Sequence, residues 1–472
     1  MKIKHIFLLV ALFFSFLTSY SQYFGRNKVS YEKFNFKIYE SPHFDIYNYL
    51  DDSAKINRFA RLSERWYHRH QAVFLDTIKN FNPIILYNNH ADFQQTTVSS
   101  SMIGPGTGGF TEGLRTRVVM PVSPSNRETN HVLGHELVHV FQYQLFKKND
   151  SLNIRMTGNI PVWMIEGLAE YLSIGGTDPH TAMWLRDAIL QDDIPSFKEM
   201  SKNPSKYFPY RYGHAVWTYL TGIWGDAVIV PMIKETAKYG FQHAMDTLLG
   251  YSADTISQWW ARSLKNSYQP LLKNKQDVAG ERLFNKENAG TMNLAPSVSP
   301  NGKYLTFVSN RDVISTDMYL GNVENKEIKK KITSRMRESH IDNYSYLESA
   351  GTWSPNSERF AFSAFMDGKN KLLIINAETG KRENTLSIPG VESFSNPSWS
   401  PGGNSIVVSG LVDGQSDLFL YNLNSKEVTR LTNDPYSDMQ PEWSPDGNKI
   451  VFTSDRSPQT DFEKIEFATY RI

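Results

Sequence analysis

The sequence predicts a multidomain protein in which an α+β part precedes an all-β propeller. Helical spacing of apolar residues dominates the first part, and alternating, strand-like spacing replaces it after Asn274. A phrase containing a Ser-Pro step then recurs four times, at Ser299, Ser354, Ser400 and Ser444. At 472 residues the chain is too long for one ordinary hydrophobic core, so about two or three domains are expected.

The repeated phrase predicts the propeller. Its Ser-Pro steps are separated by 55, 46 and 44 residues, a period that suits four-stranded blades. The phrases, of which Gln440–Lys449 is one, resemble TolB-like, WD40-related repeats. This resemblance implies blades over residues 294–472, and a β-sandwich with similar turns is the alternative. The last of the four blades is short after Arg456, and propellers usually close with more, so we expect the front part of a longer protein rather than a four-bladed ring.

Charge and composition limit what the protein can bind and how it can be cross-linked. The net charge is +1, which gives no indication of nucleic-acid binding. The chain has no cysteine, so it can form no disulfide, and any zinc site must use nitrogen and oxygen ligands.

The N-terminus reads as a secretory signal. Lys2 and Lys4 precede the apolar run Ile6–Leu17, and Ser19 and Ser21 supply small residues before Gln22. We therefore expect a cleaved signal peptide at 1–21 and a periplasmic or extracellular protein, a buried N-terminal helix being the alternative. No second apolar stretch reaches about 18 residues, so no transmembrane helix is predicted.

Residues 22–272 divide into two lobes. The β-rich lobe, 31–122, is predicted to hold a helix over Ile56–Phe74 and, as its last strand, Arg117–Val122. The helical lobe, 125–272, opens with a capping box at Ser125–Glu128, and Pro161 fits the first turn of another helix. Residues 273–293 are a predicted linker before the blades.

The motif His135-Glu136-Leu137-Val138-His139 indicates metal chemistry. Histidines four apart lie on one face of a helix and can aim two imidazoles at one zinc ion. Glu136 can then reach a metal-bound water as a general base. Two surface or core histidines on an amphipathic helix would give the same pattern. His131, four residues earlier, is expected to be solvent-exposed rather than a third ligand.

A second segment can complete the site. A catalytic zinc takes three protein ligands and leaves one position for water. Glu166 and Glu170 share one face of the helix predicted after Pro161. One carboxylate can ligate zinc while the other accepts a hydrogen bond from a ligand imidazole.

The two segments together resemble the gluzincin metallopeptidases of the peptidase MA-like group. The resemblance is specific over about residues 134–172 and implies a zincin-like α+β fold. It assigns Glu166 as the third zinc ligand, Glu170 as the residue that steadies a motif histidine, and Glu136 as the base. The spacing departs from the family because 27 positions separate His139 from Glu166. We expect the insertion, roughly Lys147–Asn159, to be a polar loop.

Three further assignments concern substrate. Aminopeptidases of this group capture the substrate amine with a Gly-x-Met-Glu-Asn phrase. Glu112 stands at a similar distance but without the Met and Asn, so it is a weak candidate for substrate binding.

Tyr212, or else His214, is proposed to stabilise the oxyanion, ordinary helix packing being the alternative. By analogy with the family, Arg117–Val122 would be an edge strand that pairs with an extended substrate, or else an interior strand.

We therefore expect an exported peptidase that binds one zinc ion and hydrolyses peptide or protein substrates, as an endopeptidase rather than an aminopeptidase. The propeller would contact substrates or an envelope protein partner. The alternative is a non-catalytic envelope binding or scaffold protein that uses the propeller and carries a degenerate peptidase domain.

Overall fold

The computed structural model describes residues 30–78, 82–148, 151–273, 279–312, 315–333, 341–344 and 349–472. The predicted signal peptide and residues 274–278 of the predicted linker lie outside these ranges. Within them, an N-terminal α/β region is followed by a C-terminal region built of β-sheets.

The N-terminal region contains a five-stranded sheet in the order β1-β2-β3-β5-β4. Its strands are β1 Lys37–Glu40, β2 Phe44–Asn48, β3 Asn82–Tyr87, β4 Phe110–Glu112 and β5 Arg117–Pro121. Strands β2, β3 and β5 run parallel, and β1 and β4 pair antiparallel at the two edges. The prediction that Arg117–Val122 is an edge strand was therefore wrong, and the alternative, an interior strand, is confirmed. The chain doubles back between Glu112 and Arg117, so that β4 pairs along the outer side of β5.

Eleven α-helices are described in this region. They are α1 Ser53–Phe74, α2 His90–Phe93, α3 Asn126–Leu145, α4 Ile154–Gly158, α5 Val162–Ile174, α6 Pro179–Leu190, α7 Phe197–Lys202, α8 Pro209–Trp224, α9 Ile229–Tyr239, α10 Phe241–Leu249 and α11 Ala253–Leu272. A short 3-10 turn, Asp226–Val228, precedes α9. Most of these helices, together with the sheet, enclose one hydrophobic core that includes Trp66, Trp163 and Trp217.

The insertion after the metal motif is more regular than a loop. It forms a short hairpin of β6 Lys147–Lys148 and β7 Ser151–Leu152, and then α4. The side chain of Asn153 accepts a hydrogen bond from Met156 N and so caps α4. A helix of five residues is too short to show a helical period of apolar residues, so the polar composition of the segment indicated a loop.

The C-terminal region consists of four successive sheets. The first contains β8 Asn293–Val298, β9 Tyr304–Ser309, β10 Asp317–Asn322 and β11 Ile328–Lys331; the second β12 Ile341–Tyr344, β13 Thr352–Trp353, β14 Arg359–Met366, β15 Lys369–Asn376 and β16 Arg382–Leu386; the third β17 Ser393–Trp399, β18 Ser405–Val412, β19 Gln415–Asn422 and β20 Val428–Arg430; the last β21 Asp438–Trp443 and β22 Ile450–Ser454. Within the described ranges the sheets do not close into a ring.

The first strands of three sheets share one irregularity. Ala295, Asn396 and Gln440 each precede a proline and have φ values of 50°, 50° and 53°. Each lies where the register to the next strand shifts. A non-glycine residue in this left-handed conformation costs roughly 1–3 kcal/mol, so the bulge is a repeated feature that surrounding contacts hold in place.

Residues that follow the last strand, β22, pack against the N-terminal region. The guanidinium of Arg65 on α1 donates to the carbonyl oxygens of Lys464 and Ile465 at 3.0 and 2.6 Å. The side chain of Ile465 is 3% exposed and belongs to the N-terminal hydrophobic core, and Phe467 packs against that core. Residues beyond the last strand therefore join the two regions.

No single described helix is both long and apolar enough to span a bilayer. Pro209–Trp224 and Asp226–Tyr239 together have the length and composition for it, but the pair is bent by 112°.

Candidate metal centre

Helix α3 is fixed against α1 at the turn that carries the motif. Ser125 caps α3 by accepting from Glu128 N. Immediately before His135, the backbone of Gly134 lies on the Trp66 ring, where a Cβ atom would come within 2.6 Å of Trp66 Cε2. His70 Nε2 is 2.9 Å from the Gly134 carbonyl oxygen, a distance at which the ring donates. These contacts fix the position of the motif relative to α1.

A second helix crossing positions the carboxylates. Helices α5 and α8 approach so closely at Gly167 and Gly213 that a Cβ atom on Gly167 would lie 2.2 Å from the Gly213 carbonyl carbon. Only glycine permits backbones this near to one another. The crossing places Glu166, the residue before Gly167, opposite α3.

Three side-chain atoms converge between α3 and α5. His135 Nε2 and His139 Nε2 are 3.1 Å apart, and Glu166 Oε2 lies 3.3 Å from each of them. His135 and His139 are 7% exposed, so the convergence is deep in the structure. The three side chains predicted as zinc ligands are thus brought together.

The spacing and chemistry of this group fit a zinc ion. Ligand atoms about 2.05 Å from a tetrahedral zinc ion lie about 3.3 Å from one another, which is close to the distances observed. Glu166 Oε2 is buried and makes no hydrogen bond within the described part of the chain. A buried oxygen left without a hydrogen bond is costly unless another partner satisfies it, and a cation held by these three atoms would do so.

The carboxylate of Glu170 contacts His135 at Nδ1, the ring nitrogen that does not face Glu166. Its Oε1 lies 3.0 Å from His135 Nδ1 and 3.1 Å from His131 Nε2, and its Oε2 accepts from Arg211 Nη1 at 2.9 Å. The contact with His135 has an ion-pair distance but not the angle of a well-aligned hydrogen bond. His131, expected in solvent, is instead mostly buried against Glu170, since its side chain is only 19% exposed.

The charges in the group shift its pKa values strongly. Burial opposes protonation of His135, but Glu166 and Glu170 outweigh burial and raise its pKa to about 10. Burial acts against ionisation of Glu166 too, yet the two imidazoles lower the pKa of that carboxyl well below its ordinary range. In the absence of a cation the site therefore holds protons, which a metal ion has to displace.

The second histidine has its own orienting partner. His139 Nδ1 is 2.7 Å from Gln142 Oε1, and Gln142 Nε2 donates to the Ile165 carbonyl oxygen at 3.0 Å. The contact makes His139 Nδ1 the protonated nitrogen and leaves Nε2 free to ligate.

Glu136 faces the same space from the side of β4. Thr111 Oγ1 donates to Glu136 Oε2 at 2.7 Å. A Cβ atom on Gly109 would lie 3.2 Å from Glu136 Cγ, so the glycine-rich loop also packs on this side chain. The carboxylate predicted as the base is 5% exposed and held by a hydroxyl that keeps one oxygen oriented.

The two oxyanion candidates lie elsewhere. Tyr212 packs on Trp184 and Tyr207, with ring centroids 6.2 and 5.9 Å away. His214 has its Nδ1 2.9 Å from Thr181 Oγ1 and its Nε2 2.6 Å from the Gly175 carbonyl oxygen, so both ring nitrogens serve helix packing.

Tyr210, rather than Tyr212, lies beside the converging residues. Its ring stacks on His135 with centroids 5.6 Å apart and an interplanar angle of 11°. Burial, and then the negative charge of Glu166, raise the pKa of Tyr210 above its ordinary value, so the hydroxyl keeps its proton. It lies one turn before the α8 glycine that crosses α5, and a spacing pattern alone could not separate it from Tyr212.

Glu112 is engaged within its own hairpin. Its Oε2 accepts from Arg117 Nε and Nη2, each at 2.6 Å. A carboxylate paired in this way is not presented to a substrate amine.

Thr111, Gln142, Tyr210 and Arg211 are the site residues that sequence reasoning missed. Gln142 follows His139 by three positions and so lies on the same helical face, which was a usable signal. Thr111 and Arg211 reach the site through the tertiary fold and carried none.

Comparison with known families gives two matches. Residues 112–192 match the family described as a peptidase of plants and bacteria, a range that contains all three converging residues. Residues 335–468 match the TolB beta propeller domain. No curated protein matches the chain.

Solved structures with partial similarity include two TolB proteins. The protein assigned as TolB from Agrobacterium tumefaciens is 19% identical over 37% of this chain and 60% of its own, with a TM-score of 0.30. TolB from Acinetobacter baumannii is 17% identical over 43% of this chain and 54% of its own, also with a TM-score of 0.30. The chain thus spans little more than half the length of these proteins. By its family matches, the chain joins an N-terminal α/β region, part of which is similar to a peptidase family, to a C-terminal β-sheet region of TolB-like propeller type.

Proposed function

We propose that this chain is a zinc-dependent peptidase of the gluzincin kind that cleaves peptide bonds by base-assisted attack of water. The observation that carries the proposal is the convergence of His135 Nε2, His139 Nε2 and Glu166 Oε2 at 3.1 to 3.3 Å. The match of residues 112–192 to a peptidase family supports it.

The roles of the side chains follow from their places. A zinc ion bound by the three converging residues would supply a Lewis acid that polarises the substrate carbonyl and acidifies water. Glu136, with Oε2 oriented by Thr111, takes the proton from the attacking water and passes it to the leaving nitrogen. The Tyr210 hydroxyl, which stays protonated, donates to the negative charge that develops on the carbonyl oxygen.

The substrate would lie along β4. Its outer edge pairs with no other strand among the described residues, and an extended peptide can add to such an edge through main-chain hydrogen bonds. The capture of Glu112 by Arg117 removes the carboxylate that an aminopeptidase would use, which favours endopeptidase action.

Two variants test the proposal. The Glu136→Gln protein should keep zinc, because its ligands are intact, and lose cleavage of a mixed peptide library. His139→Ala should lose both metal and cleavage. If purified protein contains far less than one zinc ion per chain, the assignment of the metal ligands is wrong, whatever the kinetics show.

A non-catalytic binding protein is the second candidate, favoured by the propeller match. It would require that a protein partner bind equally well to the Glu136→Gln variant and that no peptide be cleaved by the zinc-loaded parent.

We propose export by the segment 1–21 on its sequence pattern, a peptidase unit over 22–272 and a propeller unit over 294–472. By position, Ile465 and Phe467 fall within the proposed propeller unit, but their side chains pack with the hydrophobic core of the proposed peptidase unit.

A further inference from the structure

A cavity of about 420 Å³ lies between the N-terminal region and the propeller sheets. One wall is formed by the glycine-rich loop at 105–108, by residues 121–125 and by Glu128. The opposite wall is formed mainly by β17 and β18 of the third sheet and by β21 of the fourth. Its volume falls within the range of ligand-binding pockets in proteins.

The cavity lies near the metal centre. Gly108 lines it, and the next residue, Gly109, packs on the side chain of Glu136. Glu128 also lines it and lies seven residues before His135 on the same helix, a rise of about 10 Å. An extended polypeptide covers that distance with about three residues.

The walls are almost free of charge. Among the described residues that line the cavity, Glu128 and His90 alone can ionise near neutral pH. Burial lowers the pKa of His90 to about 4, so its ring is neutral. The ring packs on Phe93 and Phe365, with centroids 5.7 and 5.9 Å away, and so adds no charge to this wall.

The propeller wall offers hydrogen-bonding groups between apolar side chains. Asn396 and Gln440 line the cavity at the pre-proline bulges of their strands. Gln440 N donates to Ser409 Oγ at 2.8 Å, which ties the two sheets together at this wall. Phe394 and Leu411 supply apolar surface beside them. Amide and hydroxyl groups suit the backbone of an extended chain, and the apolar patches suit uncharged side chains.

We propose that this cavity binds an uncharged, extended segment of the polypeptide substrate, about three or more residues from the bond that is cut. The propeller thereby forms part of the substrate-binding cleft and selects against charged segments. This inference rests on the proposed peptidase function.

Substitutions on the propeller wall test it without touching the metal centre. Ser393→Trp and Met439→Trp place a large side chain at half-buried lining positions of β17 and β21. Asn424→Trp is the matched control, in the exposed turn between β19 and β20 and outside the lining. All three are made in the Glu136→Gln background, with zinc content and thermal unfolding as checks of folding.

The probe is a fluorescein-labelled, uncharged peptide of Ser, Ala and Leu, about ten residues long so that it spans both the metal centre and the cavity. Binding is measured by fluorescence anisotropy. We expect each wall variant to weaken binding about tenfold or more, the control to bind like the parent, and an Asp-substituted peptide to bind the parent more weakly. A dipeptide, which spans only about 7 Å and so cannot reach from the metal centre into the cavity, should not distinguish the variants.

Equal binding of the long peptide by parent and both wall variants overturns the inference, and so does the lack of any binding to the parent. Either result is separable from failure of the proposed function, which is read from zinc content and from cleavage of a mixed library by the unsubstituted protein.

Discussion

A methyl group on Gly213 would lie 2.0 Å from the carbonyl oxygen of Trp163. Trp163 begins the turn of α5 that carries Glu166, and Gly213 follows Tyr210 by three residues on α8. One close backbone crossing therefore sets the position of the third candidate ligand and of the candidate oxyanion donor.

Gly213→Ala should destabilise the protein by roughly 1–3 kcal/mol, because the helices must separate to admit the methyl group. Gly222→Ala on the same helix is the control, since nothing lies within 4 Å of its added Cβ, and alanine should there be stabilising by about 0.5–1 kcal/mol. Denaturant unfolding measures both. Equal midpoints for the two variants would contradict the crossing as described.

Glu170→Gln should weaken zinc binding about 10–100-fold, as is typical when the partner of a ligand imidazole is replaced. The side chain keeps its size but loses the charge that contacts His131, His135 and Arg211. Competition with a chromophoric chelator measures the affinity. Glu235→Gln, at a surface pair with His243, should leave it unchanged; a similar loss in both variants would argue against the assigned role.

Tyr210→Phe should lower kcat about 100-fold with zinc content unchanged, since the lost hydroxyl serves the developing oxyanion. Tyr212→Phe should keep activity near that of the parent, because its ring packs on Trp184 and Tyr207 rather than on His135. Steady-state kinetics on one cleaved peptide compares them. The reverse order of the two effects would restore Tyr212 to the site.

Folding stability should fall in acid through His70. Burial lowers the pKa of this histidine to about 4, whereas an unfolded histidine titrates near 6.5. Its contribution to the free energy of unfolding is fully present above pH 6.5 and is lost as the pH falls toward 4. The total loss is about 3 kcal/mol.

The variant His70→Gln keeps a donor for the Gly134 carbonyl oxygen and removes the titration, so stability should fall less between pH 6.5 and 4. His90, whose pKa burial also lowers to about 4, would leave a remaining slope. The exposed neighbour His68 provides the control, and His68→Gln should keep the parent's slope. Chemical unfolding at several pH values gives the comparison; parallel curves for parent and His70→Gln would refute the prediction.

Local pattern was enough for much of the architecture. The helix over Ile56–Phe74, the strands around Phe44 and Ile46 and the change to sheets after Asn274 follow from apolar spacing that tertiary packing did not override. The Ser-Pro phrases located the turns of the four sheets because each needs the same turn chemistry.

The parts that sequence did not reveal depend on contacts between distant segments. Whether Arg117–Pro121 is an edge or an interior strand is decided by three residues of β4, too few for a pattern. The choice between Tyr210 and Tyr212 depends on how α8 is rotated by its glycine crossing with α5. His131 is buried because Glu170 arrives from another helix, which no feature of its own helix indicates.

The packing of residues 464–467 against α1 and the N-terminal core has a consequence for how the protein unfolds. Ile465 lies in the hydrophobic core of the N-terminal region and Phe467 packs against it. Asp413, in the turn between β18 and β19, accepts from the backbone nitrogens of Asp51 and Asp52 at 2.8 and 3.1 Å. A shortened chain that stops at residue 272 would leave that core open to water and prone to self-association. Heat or denaturant should accordingly melt both regions in one cooperative transition, and each half expressed alone should be less soluble than the whole.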